Sequence, residues 1–371
     1  MKKVIIIFFV LVGIRYNATS QIMKDPEGLK LQENATNAIY NLDFESSSKY
    51  IEALEKKFPH HPVVPLFKAY EIYWKDMPLN PDSENYNTYE NELIEAAEKA
   101  EALYEKEKTP EATFYALSAH SLLTKLYGDE NRFVKTINEA SIAYNYLKEG
   151  FKIQEEYPEF YLYTGLYDFY RERYPESHPT IKPLIWLFAK GDIQKGLQEL
   201  KIAATKAVLT KPEANKYLMI IYLKYLDEPD SALPFIEKLT ISYPDNLYFS
   251  MLYVENLLVL KQYEKATPYI EKLKEDPNPY FRMAGEVFTG INFEKNIKDE
   301  KNASLYYNKA IETSEFLSWS AKNYISFAYA GLARIAIKNG DKRAARKNYR
   351  KAVKYAQYDA VKEEAGEYLG Y

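Results

Sequence analysis

The sequence has no cysteine, which excludes a disulfide framework, a thiolate metal site and a thiol nucleophile, so packing must hold the fold. Glycine and histidine are scarce, at 13 and 4 of 371 residues, leaving few parts for shaped loop sites or general bases. No H-E-x-x-H, G-x-S-x-G, phosphate-binding glycine loop or Rossmann fingerprint occurs. The chain reads as a non-enzyme with no cofactor and no metal. One catalytic arrangement stays open, a carboxylate pair assembled by the fold from plentiful acidic residues. His60 and His61 sit side by side in a proline-rich turn and point apart, His120 stands alone on a helix and His178 in a loop. None has co-ligands near it in sequence. An excess of one charge is missing too: 49 basic residues face 53 acidic ones, which argues against a nucleic-acid binder.

Long hydrophobic runs are absent except at the N-terminus, MKKVIIIFFVLVGIRYNATSQ. Two lysines, the apolar run Val4 to Ile14 and the small residues Ala18 and Ser20 before Gln21 form the three-part layout of a secretory signal peptide over residues 1–20. The run would reach only about 16 Å as a helix, against a hydrocarbon core of roughly 30 Å. Export to the periplasm or beyond the cell is therefore expected, with cleavage before Gln21 and no membrane span. With no cysteine behind the run, a lipoprotein anchor is excluded. Arg15, directly behind it, departs from the pattern and leaves an uncleaved N-terminus open.

Tyrosine is abundant: 36, against 18 phenylalanines and 3 tryptophans. A tyrosine buries its ring while keeping its hydroxyl wet, so it suits shallow interfaces and half-buried helix faces. The other recurring feature is a repeat. DSALPFIEKL (Asp230 to Leu239) returns 34 residues later as EKATPYIEKL (Glu264 to Leu273). Ala232, Ile236 and Leu239, like Ala266, Ile270 and Leu273, stand at i, i+4 and i+7 on one helix face. The alanine admits a close backbone and the larger residues fill the groove beside it. Ser47, Ile51 and Leu54 repeat the intervals, as do Gly196, Leu200 and Ala203; Ala303, Tyr307 and Ala310; and Ala345, Tyr349 and Ala352. Between Pro62 and Pro158 the helical pattern persists with the motif blurred. A single helix pair cannot bury its own apolar face, whereas stacked copies can.

These intervals resemble the tetratricopeptide repeat (TPR) family. The last unit matches best: Leu332-Ala333, Ala336 and Gly340-Asp341 lead into Ala345, and Tyr329 stands where the family favours tryptophan. The resemblance implies an all-α fold, a right-handed superhelical array of antiparallel helix pairs. It would cover residues 21–357 in about seven or eight pairs, with a capping helix over 358–371. It further implies a concave groove that holds a protein or peptide segment, with Tyr217, Ile221, Lys224, Tyr248, Met251, Glu255 and Arg334 as groove positions.

One stretch, Phe160 to Asp192, does not reduce to the repeat. Tyr163, Tyr167 and Arg171 share a helix face, Arg173 follows, and prolines at 175, 179 and 183 mark an insert at about 175–190. More loosely, its glycines, its proline loop and the run Gly191-Asp192, Gly196-Leu197, Leu200 and Ala203 are similar to a TPR family linked to inclusion-body clearance at mitochondria. The stretch reads either as a ligand platform of tyrosines and arginines or as a packing face with a plug. Two functions follow: an exported scaffold for a protein segment, or a carbohydrate-binding module using Tyr and Trp platforms. The last helix pair, with Lys338, Lys342, Arg343, Arg346, Lys347, Arg350 and Lys351, reads as a solvated face or a contact for an anionic partner.

Overall fold

The computed structural model describes residues 21–177, 188–318, 321–356 and 359–370. The expected signal peptide and most of the expected insert, including Pro179, Pro183 and Trp186, lie outside the described residues. Among the described residues a short 3₁₀ turn, Ile22–Lys24, precedes seventeen α-helices. They are α1 (Pro26–Tyr40), α2 (Phe44–Lys57), α3 (Val63–Lys75), α4 (Tyr86–Glu107), α5 (Pro110–Asp129), α6 (Phe133–Ile153), α7 (Phe160–Ser177), α8 (Ile193–Lys206) and α9 (Lys211–Ile220). Then come α10 (Pro229–Ser242), α11 (Leu247–Val259), α12 (Tyr263–Glu275), α13 (Pro279–Asn292), α14 (Glu300–Thr313), α15 (Ile325–Lys338), α16 (Lys342–Tyr355) and α17 (Asp359–Leu369). Each helix packs on the next, giving eight successive pairs and a closing helix, with no strand among the described residues. The expected all-α solenoid of stacked pairs is what the chain forms.

The second helix of a pair is specified locally as well as by its core face. Asp43, Asp192, Asp299 and Asp341 each stand four residues before the small residue of the motif. Each accepts a hydrogen bond from the backbone N–H three residues on, at 3.1, 3.0, 3.0 and 2.8 Å respectively. A carboxylate here satisfies an orphan donor of the first turn and suits the positive end of the helix dipole. Behind the caps, the motif residues are buried in all six units, with Ala232, Ile236, Ala266, Leu273, Ala303, Tyr307 and Ala310 each 2 % exposed or less. Where α7 meets α8 even alanine is too large: a Cβ on Gly165 would lie 2.9 Å from the Gly196 carbonyl, and one on Gly196 would lie 2.7 Å from that of Gly165.

The array curls far enough for its start to touch its middle. The Tyr40 hydroxyl donates to Glu213 at 2.7 Å, the Asn246 amide donates to the Tyr40 carbonyl at 2.7 Å, and the Tyr243 hydroxyl donates to Asn37 at 3.0 Å. The Asn278 amide reaches the Met77 carbonyl at 2.7 Å. Trp74 of α3 packs edge-on against Tyr248 and Phe249 of α11, at 5.9 and 5.5 Å between centroids. These contacts join residues about 170 to 210 positions apart and turn the concave side into an enclosure.

Candidate functional site

Inside the curl lies a chamber of about 570 Å³, walled by α3, α4, α5 and α9 and by the α3–α4 loop. Such a volume is in the usual range of small-ligand pockets. A smaller apolar pocket of about 40 Å³ adjoins it, sharing Tyr70 and Glu213 and adding Tyr163. The wall is aromatic because successive turns of α3 and α4 point that way: Tyr70, Tyr73 and Trp74 on one, Tyr86 and Tyr89 on the other, with Tyr217 from α9 opposite. The rings brace one another. Tyr73 meets Trp74 edge-on at 5.8 Å and Tyr89 at 6.1 Å, and Tyr170 meets Tyr217 at 6.5 Å.

The rings are held, but their hydroxyls are not. Those of Tyr70, Tyr73, Tyr89 and Tyr217 form no hydrogen bond to another described residue. Two fully enclosed donors of the lining are also unpartnered, the Trp74 indole N–H and the Tyr86 hydroxyl. Burial, reinforced by neighbouring tyrosines and Glu213, pushes the hydroxyls of Tyr70, Tyr89 and Tyr217 far above the ordinary tyrosine range. They remain protonated, able to donate as well as accept.

The charged residues of the chamber, by contrast, pair internally. Lys216 meets Glu213 at 2.5 Å, both nearly buried, and lies over Tyr217 at 5.0 Å and Trp74 at 6.0 Å. Lys125 pairs with Asp129 one helical turn away. Burial disfavours its charge, but Tyr73, Asp129 and Glu213 hold it above the usual lysine range. Glu130 is offset by Arg132 at 3.2 Å. Both lysines of the lining are thus paired with carboxylates of the lining, and its third carboxylate, Glu130, with Arg132 outside it.

The positions singled out from the sequence scatter over this geometry. Tyr217 lines the chamber, Tyr163 lines the adjoining pocket with its hydroxyl donating to Ser118 at 2.7 Å, and Tyr248 stands behind Trp74. Tyr167 and Arg171 turn elsewhere and tie down the chain entering α8: the Tyr167 hydroxyl donates to the Ala189 carbonyl at 2.6 Å, and Arg171 to that of Phe188 at 3.3 Å. Tyr167 also stacks on Tyr144 at 5.4 Å. Arg173 donates to the Tyr225 carbonyl at 2.7 Å, at the end of a π-helical turn, Ile221–Tyr225. Lys224 lies 3.7 Å from Glu255, which also accepts from Tyr324 at 2.8 Å. Ile221 and Met251 are core residues. Arg334 forms a two-pronged bond with Glu294 at 2.6 and 2.8 Å and a second pair with Glu364 at 2.9 Å.

Sequence reasoning missed Tyr70, Tyr73, Trp74, Tyr86 and Tyr89, all in the stretch where the repeat motif blurs. The signal was AYEIYWK, three aromatics in five residues, in a chain oversupplied with tyrosine. No group of three or more His, Asp or Glu among the described residues is arranged to hold a metal. No family model matches the chain, and no curated protein matches it.

Proposed function

We propose that the protein is an exported, TPR-like helical-repeat scaffold that binds rather than transforms its ligand and holds it in the tyrosine chamber. The observation that carries this reading is the convergence of four tyrosine hydroxyls with no hydrogen bond to another described residue on one ring-lined space. Hydroxyls on a ring-lined wall that have no protein partner are available to a ligand, since a ligand that bonds them replaces water and displaces no internal bond. The chamber's size selects a compact ligand, a short stretch of a partner protein or a carbohydrate. A long peptide laid through an open groove fits less well, because Lys224, Glu255 and Arg334 already have internal partners. Export rests on the N-terminal pattern, and no helix among the described residues is long and apolar enough to cross a membrane.

The test is capture from an envelope extract by wild-type protein and by Leu122→Trp, which pushes an indole into the chamber from a partly exposed position on α5. Capture lost at an unchanged melting temperature supports the reading. Capture indifferent to the substitution contradicts it.

A further inference from the structure

Resting on the reading that the chamber is the ligand site, we propose that its ligand is a neutral, polyhydroxylated molecule, a saccharide of a few units. Three features of the lining point the same way. First, the inner charges are already paired: Lys216 with Glu213 at 2.5 Å, nearly buried, while the pair Lys125 with Asp129 is more exposed. An ionic ligand would have to enter uncompensated or break a nearly buried pair, and uncompensated buried charge is strongly unfavourable. Second, the free groups on the wall are the hydroxyls of Tyr70, Tyr73, Tyr89 and Tyr217. A tyrosine hydroxyl both donates and accepts, as a sugar hydroxyl does, so a ring of them meets a sugar in whatever orientation its own hydroxyls take. A peptide backbone alternates fixed donors and acceptors and gains less from such a wall. Third, the hydroxyls stand at the edges of braced aromatic rings, so apolar and polar contacts alternate over short distances. A sugar alternates C–H faces with hydroxyl edges in the same way, whereas an aliphatic ligand would leave the hydroxyls dry and unpaired.

The experiment screens the full chain lacking residues 1–20 against three probe sets. These are neutral oligosaccharides of two to four units (gluco-, xylo- and manno- series), their sulfated and uronic-acid counterparts, and a pool of synthetic hexapeptides. The tightest hit is then titrated calorimetrically against Tyr70→Phe, Tyr89→Phe, Tyr217→Phe and Leu122→Trp, each first shown to melt as the wild type does. The expected result is saturable binding of a neutral oligosaccharide, at least tenfold tighter than its charged counterpart. Each Phe substitution weakens it about fivefold or more, in line with one lost hydrogen bond, and Leu122→Trp abolishes it. A preferred hexapeptide or charged oligosaccharide whose binding falls in these variants overturns the saccharide assignment and keeps the chamber. Binding that none of the four substitutions alters overturns the chamber itself. Failure of every neutral oligosaccharide to bind at millimolar concentration overturns the saccharide assignment.

Discussion

The chamber and the C-terminal end of the array are built from the same residue types to opposite effect. Around α13 to α17 three buried tyrosine hydroxyls are struts: Tyr307 donates to Glu294 at 2.7 Å, Tyr324 to Glu255 at 2.8 Å and Tyr349 to Glu364 at 2.8 Å. Arg334 clamps Glu294 and Glu364 from the other side, and Gly290 and Gly331 leave the slot that the Tyr307 ring fills. Around α3, α4 and α9 the tyrosines are braced ring to ring and their hydroxyls are left over. The difference separates tyrosine as a structural member from tyrosine whose hydroxyl is left free, the surface proposed above for the ligand: what matters is where the hydroxyl's hydrogen bond goes, not how deep the ring lies.

The sharpest way to break this comparison is Arg334→Ala. It leaves Glu294, 5 % exposed, without its clamp, and removing one partner of a buried pair costs about 3–5 kcal/mol. Denaturant unfolding with a loss below 1 kcal/mol would mean that the C-terminal network is no strut. Acid probes the same clamp. Burial opposes the charge of Glu294, but the bonds and charge of Arg334, with Tyr307 and Lys295 behind them, bring its pKa down to about 2 from 4.5. A carboxylate with a depressed folded pKa stabilises the fold above its unfolded pKa. That contribution, about 3 kcal/mol at neutral pH, drains away as pH falls from roughly 4.5 toward 2. Hydrogen exchange should show α14 to α16 opening in that window, and Glu294→Gln should remove the step. Next in size is Tyr307→Phe, which keeps the ring in its slot and deletes the hydroxyl that Glu294 accepts from, at a cost of about 1–3 kcal/mol. A melt equal to wild type would place Tyr307 in the chamber's class.

How far this was legible in the sequence follows from the same contrast. Ala232, Ile236 and Leu239 could be assigned to the core because their face recurs every 34 residues and recurrence reports packing. In four of the six units a capping aspartate stands four residues ahead of the small residue, while Glu228 and Gln262 hold that place ahead of Ala232 and Ala266. The chamber does not recur. It depends on the curl bringing Tyr40 to Glu213 and Asn278 to Met77, single contacts between distant units whose partners carry no shared pattern. For the same reason the helix face Tyr163, Tyr167, Arg171 divides: one end reaches the pocket, and the other two bind the backbone at Phe188 and Ala189 from the following segment. Periodicity tells which residues share a face of a helix. It does not tell what that face meets.

The smallest expected effect on stability is the most telling. In the triple variant Tyr70→Phe, Tyr89→Phe, Tyr217→Phe all three rings stay and only hydroxyls without an internal partner are lost. The central claim is that those hydroxyls serve the ligand alone. Thermal melting and capture from an envelope extract, measured on one preparation of this variant, test it directly. The account predicts a melting temperature within about 1–2 °C of wild type, since removing unpaired hydroxyls is close to neutral, together with loss of capture. A melting temperature lowered as far as in Tyr307→Phe, with capture intact, would contradict it.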